Sequence, residues 1–493
     1  MPQRLLRTAL AALCTANAWA AVGPCTLTTD RTVDCTTLSS IVADVCRLSG
    51  AKTNDEKGIA LYGYLHQVLF HSAYACERRP QSVGPLKVIN VYGWGLCGGE
   101  HTVMKALFET AGWSVRYRGW SDPAHTTVEA SYDGRWHYFD VFLKAYFWTR
   151  DRSTIAGQDD IIADPAIVLD GLKDARVPKD SYLCCGDDPA SIVSGCRSSH
   201  AEPPSRPSDG WASVTGRDEG YSPLLTLRSG ATLTLGWEAL PGMMVADNTK
   251  GLHSCPNMKD IRANTVLGPI FEHYGTRTYA NGRLQYAPDF ACAPDLADLV
   301  LSGVRAQNGA LTAESAGSAV FTLDTPYPYA AASLAATSSG GSCTFALSSD
   351  GGASWTACAP GDLTALVRQR YALRLKASFT GTLSAISFDG VVEHNRGALP
   401  FLFQGANRVT IGGPGAMLPA GSALVITYRF QEASAPAGRT AFNGNQVTYG
   451  EIRSVTRECT TLPTSFTIEV GGTTPPRMLS IARALTAPPP AGR

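Results

Sequence analysis

The chain has 493 residues, enough for about two to four domains. Its 42 basic and 42 acidic residues cancel and form no basic block, so the charge pattern implies neither nucleic acid nor an anionic membrane as a partner. With 48 glycines and 30 prolines, much of the length suits a loop-rich β protein.

Arg4 and Arg7 precede an apolar run that closes on Ala18-Trp19-Ala20, a small-x-small site. This predicts a secretory signal peptide over residues 1–20 and an exported protein, secreted or periplasmic. Leu13 before Cys14 argues against lipoprotein processing there. No other stretch is long and apolar enough for a transmembrane segment. Of the 14 cysteines, all but Cys14 lie beyond the signal peptide. Their odd number predicts a free thiol in an oxidising compartment, with up to six disulfides among the rest.

Residues 21–50 carry Cys25, Cys35 and Cys46 and read as a disulfide-pinned leader. A helix is expected from Asn54, capped by Asn54 or Asp55, with Leu61, Leu65, Val68 and Leu69 on one face. It is expected to end at Cys76, which makes Cys46–Cys76 a plausible bridge. Lys87–Tyr92 is a short apolar lead into Cys97. Val103, Met104, Leu107, Phe108 and Ala111 then repeat at helical spacing, and Gly112 is a natural stop. Cys97 therefore sits at a helix N-terminus, whose partial positive charge favours thiolate.

Trp113, Val115 and Tyr117 alternate as in a half-buried strand. Thr126–Tyr132 and Arg135–Val141 flank Asp133-Gly134, a two-residue hairpin signal. That turn sets Tyr132 opposite Arg135 and Thr127 opposite Asp140. His125 and Asp140 become diagonal neighbours on one face, roughly 7–8 Å apart in backbone terms. His137 has the wrong parity, and Glu129 lies on the order of 13 Å along the strand from His125. The register thus selects Asp140 as the partner of His125.

A thiol, an imidazole and a carboxylate in this order have a coherent chemistry. The imidazole takes the thiol proton, and the carboxylate holds the imidazole's tautomer. His101, one turn after Cys97, and Trp94 are expected to back the site rather than react, Trp94 chiefly through core packing. Gly95-Leu96-Cys97-Gly98, Ala111-Gly112-Trp113, His125 before a strand and Trp136 ahead of Asp140 together resemble the transglutaminase-like (papain-related) superfamily over roughly residues 55–175. The resemblance implies a papain-like α/β core and a thioester acyl-enzyme. It leaves the substrate open.

Farther on, Asp164-Pro165 opens a short helix. Cys184, Cys185 and Cys196 lack metal-ligand spacing and read as disulfide ends, so no metal and no cofactor is expected. Cys255 and Cys292 are expected to close a long loop. Short strands from about Ala310 to Val470 read as a β-sandwich module. Ser348–Trp355 resembles an Asp-box turn, with Cys343 and Cys358 placed symmetrically for a bridge. Tyr327, Tyr329 and Trp355 are candidates for stacking on sugars or for core packing. The tail from Ala487 is too Pro-rich to pack.

The expected fold class is multidomain α+β. A papain/transglutaminase-like catalytic core covers 21–200 and a linker 201–210. A β-rich middle domain (211–305), a sandwich-like module (310–475) and a Pro-rich tail (476–493) follow. The expected function is a secreted cysteine acyltransferase or hydrolase, with Cys97 as nucleophile, His125 as base and Asp140 as orienter. Its substrate is expected to be an extracellular protein, a peptide or a cell-wall polysaccharide. The rival readings are an inactive exported scaffold or glycan-binding protein, and the same cleft acting on an extracellular polysaccharide. A row formed by Arg116, Arg118 and Arg135 beside Cys97 would favour the last.

Overall fold

The computed structural model describes residues 21–71, 77–78, 82–171, 173–174, 176–177, 188–201, 211–212, 220–245, 279–413, 415–435 and 447–486. Residues 1–20, expected to be a signal peptide, most of the expected linker, Cys76, Cys184, Cys185, Cys255 and the stretch from Ala487 lie outside these residues. The protein is β-rich and contains several sheets.

The first region carries the cysteine helix. Helix Leu38–Ser49 opens on a Thr37–Ser40 capping box and stops at Gly50, which is left-handed (φ 70°). Helix Asn54–Val68 is capped by Thr53, not by Asn54 or Asp55. The Thr53 side chain accepts from the Glu56 N–H and Glu56 answers on the Thr53 backbone, so two free donors are satisfied at once. The helix ends well before Cys76, because Leu69 turns extended (φ −126°, ψ 146°). Phe70–His71 then pairs in parallel with Trp94–Gly95, the step that leads into Cys97. Helix Cys97–Thr110 buries Val103, Met104, Leu107 and Phe108, as its spacing predicts. Gly112 follows at φ 94°.

Beside this helix stands a four-stranded antiparallel sheet in the order Arg135–Phe139, Ala124–Tyr132, Ser114–Ser121, His200–Ala201. Asp133 (φ 50°) and Gly134 (φ 78°) form the two-residue turn, and Tyr132 faces Arg135. Val128 faces Phe139, so the chain leaves the ladder just before Asp140.

The second region is a large β scaffold. Ala231–Gly236 pairs with both Tyr279–Tyr286 and Thr474–Thr486, and Thr474–Thr486 also pairs with Ala423–Ser434. The 22-residue strand Arg374–Asn395 joins Tyr279–Tyr286, Ala310–Thr322 and Tyr329–Ser339 to the same sheet. Strands of the middle segment and of the sandwich module therefore share one 13-stranded sheet. The stretch assigned to a tail begins as an interior strand that runs to Thr486. The leader also differs from expectation. Ala21–Thr29 lies between Leu225–Arg228 and Gly405–Gly412 in a separate four-stranded sheet, so strand pairing anchors it.

The nine described cysteines are all free thiols, against the expectation of a disulfide framework. In the Asp-box hairpin, Cys358 faces Phe345 while Cys343 faces Phe379 on the other neighbour, so the two thiols are out of register. The turn itself forms as expected, with Ser348 donating to Asp350 (2.7 Å) and the Ser354 N–H to the same oxygen (2.9 Å). Cys35 contacts the Tyr64 hydroxyl (3.2 Å) and Cys25 the Leu225 carbonyl (3.9 Å). The partners expected for Cys46, Cys292 and Cys196 lie outside the described residues. Tyr327 and Tyr329 are core residues, which removes them as sugar platforms.

The scaffold grips the first region through the end of its longest strand. The Asn395 amide donates to the Val68 carbonyl (2.7 Å) and the Ile89 carbonyl (2.6 Å). Those carbonyls belong to the end of helix Asn54–Val68 and to the π-helical turn Val88–Tyr92, which precedes the cysteine helix.

Candidate functional site

Cys97 is the first residue of its helix, and no side chain caps that end. The first-turn N–H groups are therefore left for whatever enters the site. His125 sits near the start of Ala124–Tyr132, opposite Trp120. Asp140 follows Arg135–Phe139 in a tight loop, where its backbone exchanges hydrogen bonds with Ala145 (2.8 and 3.0 Å).

His125 Nε2 lies 2.7 Å from Asp140 Oδ2. The Cys97 side chain also acts on the His125 ring and helps raise its pKa. With Nε2 engaged by Asp140, Nδ1 is the ring nitrogen left to serve the thiol. Two further donors orient Asp140: the Tyr138 hydroxyl on Oδ2 (2.8 Å) and the Leu143 N–H on Oδ1 (2.7 Å). The structure thus brings Cys97, His125 and Asp140 together; the hairpin register concerns only the meeting of His125 with Asp140.

The electrostatics follow from these contacts. Burial alone would lower the His125 pKa, but the Asp140 charge and hydrogen bond, helped by Cys97, raise it to about 10. Burial would raise the Asp140 carboxyl, yet the His125 charge and the hydrogen bonds it accepts hold it well below the usual carboxylate range. The two shifts stabilise the fold in different windows. For His125 the contribution is complete below its ordinary value of 6.5 and is lost as pH rises through about 10. For Asp140 it is present above the ordinary value of 3.8 and lost as pH falls toward the depressed one.

His101 is fully buried behind the pair. Its Nδ1–H donates to the Cys97 carbonyl (2.7 Å), and its Nε2 lies 3.7 Å from Asp140 Oδ1. Burial pushes its pKa down. Trp94 packs among Tyr92, Phe70 and Tyr279 with ring centroids 5.2–6.3 Å away, so it is core. His137 is buried away from the site between the Ile155 and Tyr132 carbonyls. Glu129 turns to Arg116 and to the Gln158 N–H.

Sequence reasoning missed the residues that wall His125. Trp120 and Phe142 approach its ring at 5.1 and 5.2 Å between centroids. Trp120 donates to Gln158 (3.2 Å), which in turn donates to Thr127 (2.8 Å). Tyr138 was findable, since it stands two residues before Asp140 and so shares its face. Gln158 carried no such signal. The arginine row is not free for a ligand. Arg116 pairs with Glu129 (2.8 Å), Arg118 bonds Ser199, and Arg135 pairs with Asp160 (2.8 Å).

No protein-family model, curated protein or solved structure matches the chain. Among the described residues, no helix is long and apolar enough to cross a membrane.

Proposed function

We propose that this chain is an exported cysteine enzyme with a papain/transglutaminase-like core, which works through a thioester on Cys97. The observation that carries the reading is the engagement of His125: a 2.7 Å bond from Nε2 to buried Asp140, with Cys97 close enough to help raise the His125 pKa. Export rests on the signal-peptide pattern of residues 1–20.

In this mechanism His125 holds the thiol proton and leaves Cys97 as thiolate. The thiolate attacks an amide carbonyl carbon, forming a C–S bond and an oxyanion beside the Cys97 N–H. His125 Nδ1 gives its proton to the departing amine as the C–N bond breaks, which leaves the thioester. Water or a second amine then attacks, its proton passes to His125, and the thiolate is released. Asp140 stays ionised throughout and keeps Nε2–H engaged. The substrate class is an extracellular protein, a peptide or the peptide portion of a cell-wall polymer.

Acyl trapping tests this directly. With a small activated ester, intact-mass analysis should show one acyl group on Cys97, lost on treatment with hydroxylamine. A lysine-like amine added afterwards should partition the adduct between amide and acid, which separates transferase from hydrolase. Acylation absent at Cys97, or unchanged in His125→Ala, contradicts the proposal and favours the inactive exported scaffold.

A further inference from the structure

His101 presents a problem that the thiol chemistry leaves unsolved. A carbonyl oxygen only accepts, so the 2.7 Å contact with the Cys97 carbonyl places the proton of a neutral ring on Nδ1. Nε2 then carries a lone pair. It is fully enclosed and has no hydrogen-bond partner, and it faces Asp140 Oδ1 at 3.7 Å. Two acceptors confront each other in a buried place.

The surroundings have the form of a metal site. His101, His125 and Asp140 each offer a ligand atom, and these atoms all lie within 4.8 Å of one another. An ion about 2.0–2.1 Å from nitrogen and oxygen ligands can bridge a 3.7 Å gap. A histidine ligand normally donates its other ring N–H to a backbone carbonyl or carboxylate, and His101 does so to Cys97. The carboxylate is held from outside by Tyr138 and Leu143. Two imidazoles and a carboxylate suit zinc and its neighbours rather than calcium or magnesium.

We propose that His101, His125 and Asp140 form a binding site for a zinc-class divalent ion, which, when bound, withdraws His125 and Asp140 from Cys97 and silences the thiol. The inhibitory part rests on the thiol-enzyme reading; the metal site does not. The ion takes the Nε2 side of His125, which leaves Nδ1 to the thiol, and the grouped ligand atoms do not include Cys97. Inhibition acts by removing the partner of the thiolate.

The test compares the full chain with His101→Asn, whose amide N–H can still donate to the Cys97 carbonyl but which has no ligand in place of Nε2. Alkylation of Cys97 is followed by peptide mass spectrometry, each protein scaled to its own rate in EDTA. At free zinc about ten times the dissociation constant, the wild type should slow about tenfold and recover in EDTA, while the variant should not slow. A wild type that is not slowed overturns the proposal. Equal slowing of both also overturns it, since zinc would then sit on the thiol. Cobalt(II) gives a readout independent of alkylation. The wild-type minus variant spectrum should show visible bands of a nitrogen–oxygen site without a thiolate charge-transfer band. No difference, or a thiolate band in the difference, contradicts the site. If His125→Ala leaves alkylation in EDTA unchanged, the enzyme reading fails, while a cobalt difference would still establish the metal site.

Discussion

The cysteine region and the β scaffold solve opposite problems. The former brings Cys97, His125 and Asp140 together within residues 97–140 through one helix, one hairpin and a short loop, so local geometry sets the candidate site. The scaffold instead closes over great sequence distance: Ala21–Thr29 pairs with Gly405–Gly412, and Ala231–Gly236 with Thr474–Thr486. The difference teaches that the site is built locally but held remotely, because Asn395 of the scaffold binds the backbone on which Cys97 is hung. Perturbations should therefore fall into three classes: those that break chemistry alone, those that break the joint, and those that only cost stability.

The largest effect is expected for His125→Ala in EDTA. Loss of a positioned acid–base group costs about 10²–10⁴ in rate, and low-pH reactivity at Cys97 should vanish while the fold persists by circular dichroism. Asp140→Asn should come next. Without the charge that holds it up, the His125 pKa should fall, so the imidazolium is lost at lower pH and Cys97 alkylation near neutral pH should slow. Breaking this buried pair should also destabilise by about 3–5 kcal/mol, read by urea unfolding.

Asn395→Ala sharpens the comparison. It leaves two buried carbonyls without a donor, at a cost of about 1–3 kcal/mol, and should slow Cys97 alkylation as well. Leu424→Ala, far out in the scaffold, should cost about 2–5 kcal/mol without slowing the folded protein's thiol. Gly195→Ala probes the wall behind His125. A Cβ there would meet Trp120 Cε3 at 2.1 Å, so Trp120 must shift against His125. Overpacking of this kind costs about 1–3 kcal/mol and should lower reactivity modestly. The smallest effect belongs to Cys343→Ser with Cys358→Ser. With no bridge between them, stability should change by no more than about 0.5 kcal/mol, whereas losing a disulfide would cost about 2–5.

The same contrast governs what can be read without the fold. The helix from Cys97, the Asp133-Gly134 turn and the meeting of His125 with Asp140 are legible because each depends on neighbours a few residues away and on the two-residue period of a strand. The N-cap of the second helix was misplaced by one or two residues, because Thr53 and Glu56 cap each other reciprocally. The pairing of strands across the expected divisions was not legible for a different reason. Strand alternation marks Thr474–Thr486 as β structure but does not say that it enters between Ala231–Gly236 and Ala423–Ser434. The Cys343–Cys358 expectation assumed a symmetric hairpin, and the Asp-box turn offsets the register. The metal-like grouping of His101 with His125 and Asp140 has no ligand spacing at all, because three separate elements supply it.

The most direct test of the central claim is iodoacetamide labelling of the unreduced protein in EDTA from pH 4 to 9, with wild type, His125→Ala and Asp140→Asn read side by side by peptide mass spectrometry. The Cys97–His125–Asp140 arrangement predicts selective alkylation of Cys97 below about pH 7, its loss in His125→Ala, and slower alkylation near neutral pH in Asp140→Asn. Labelling of Cys97 that follows an ordinary thiol curve in all three proteins, or a Cys97 found in a disulfide, would contradict it.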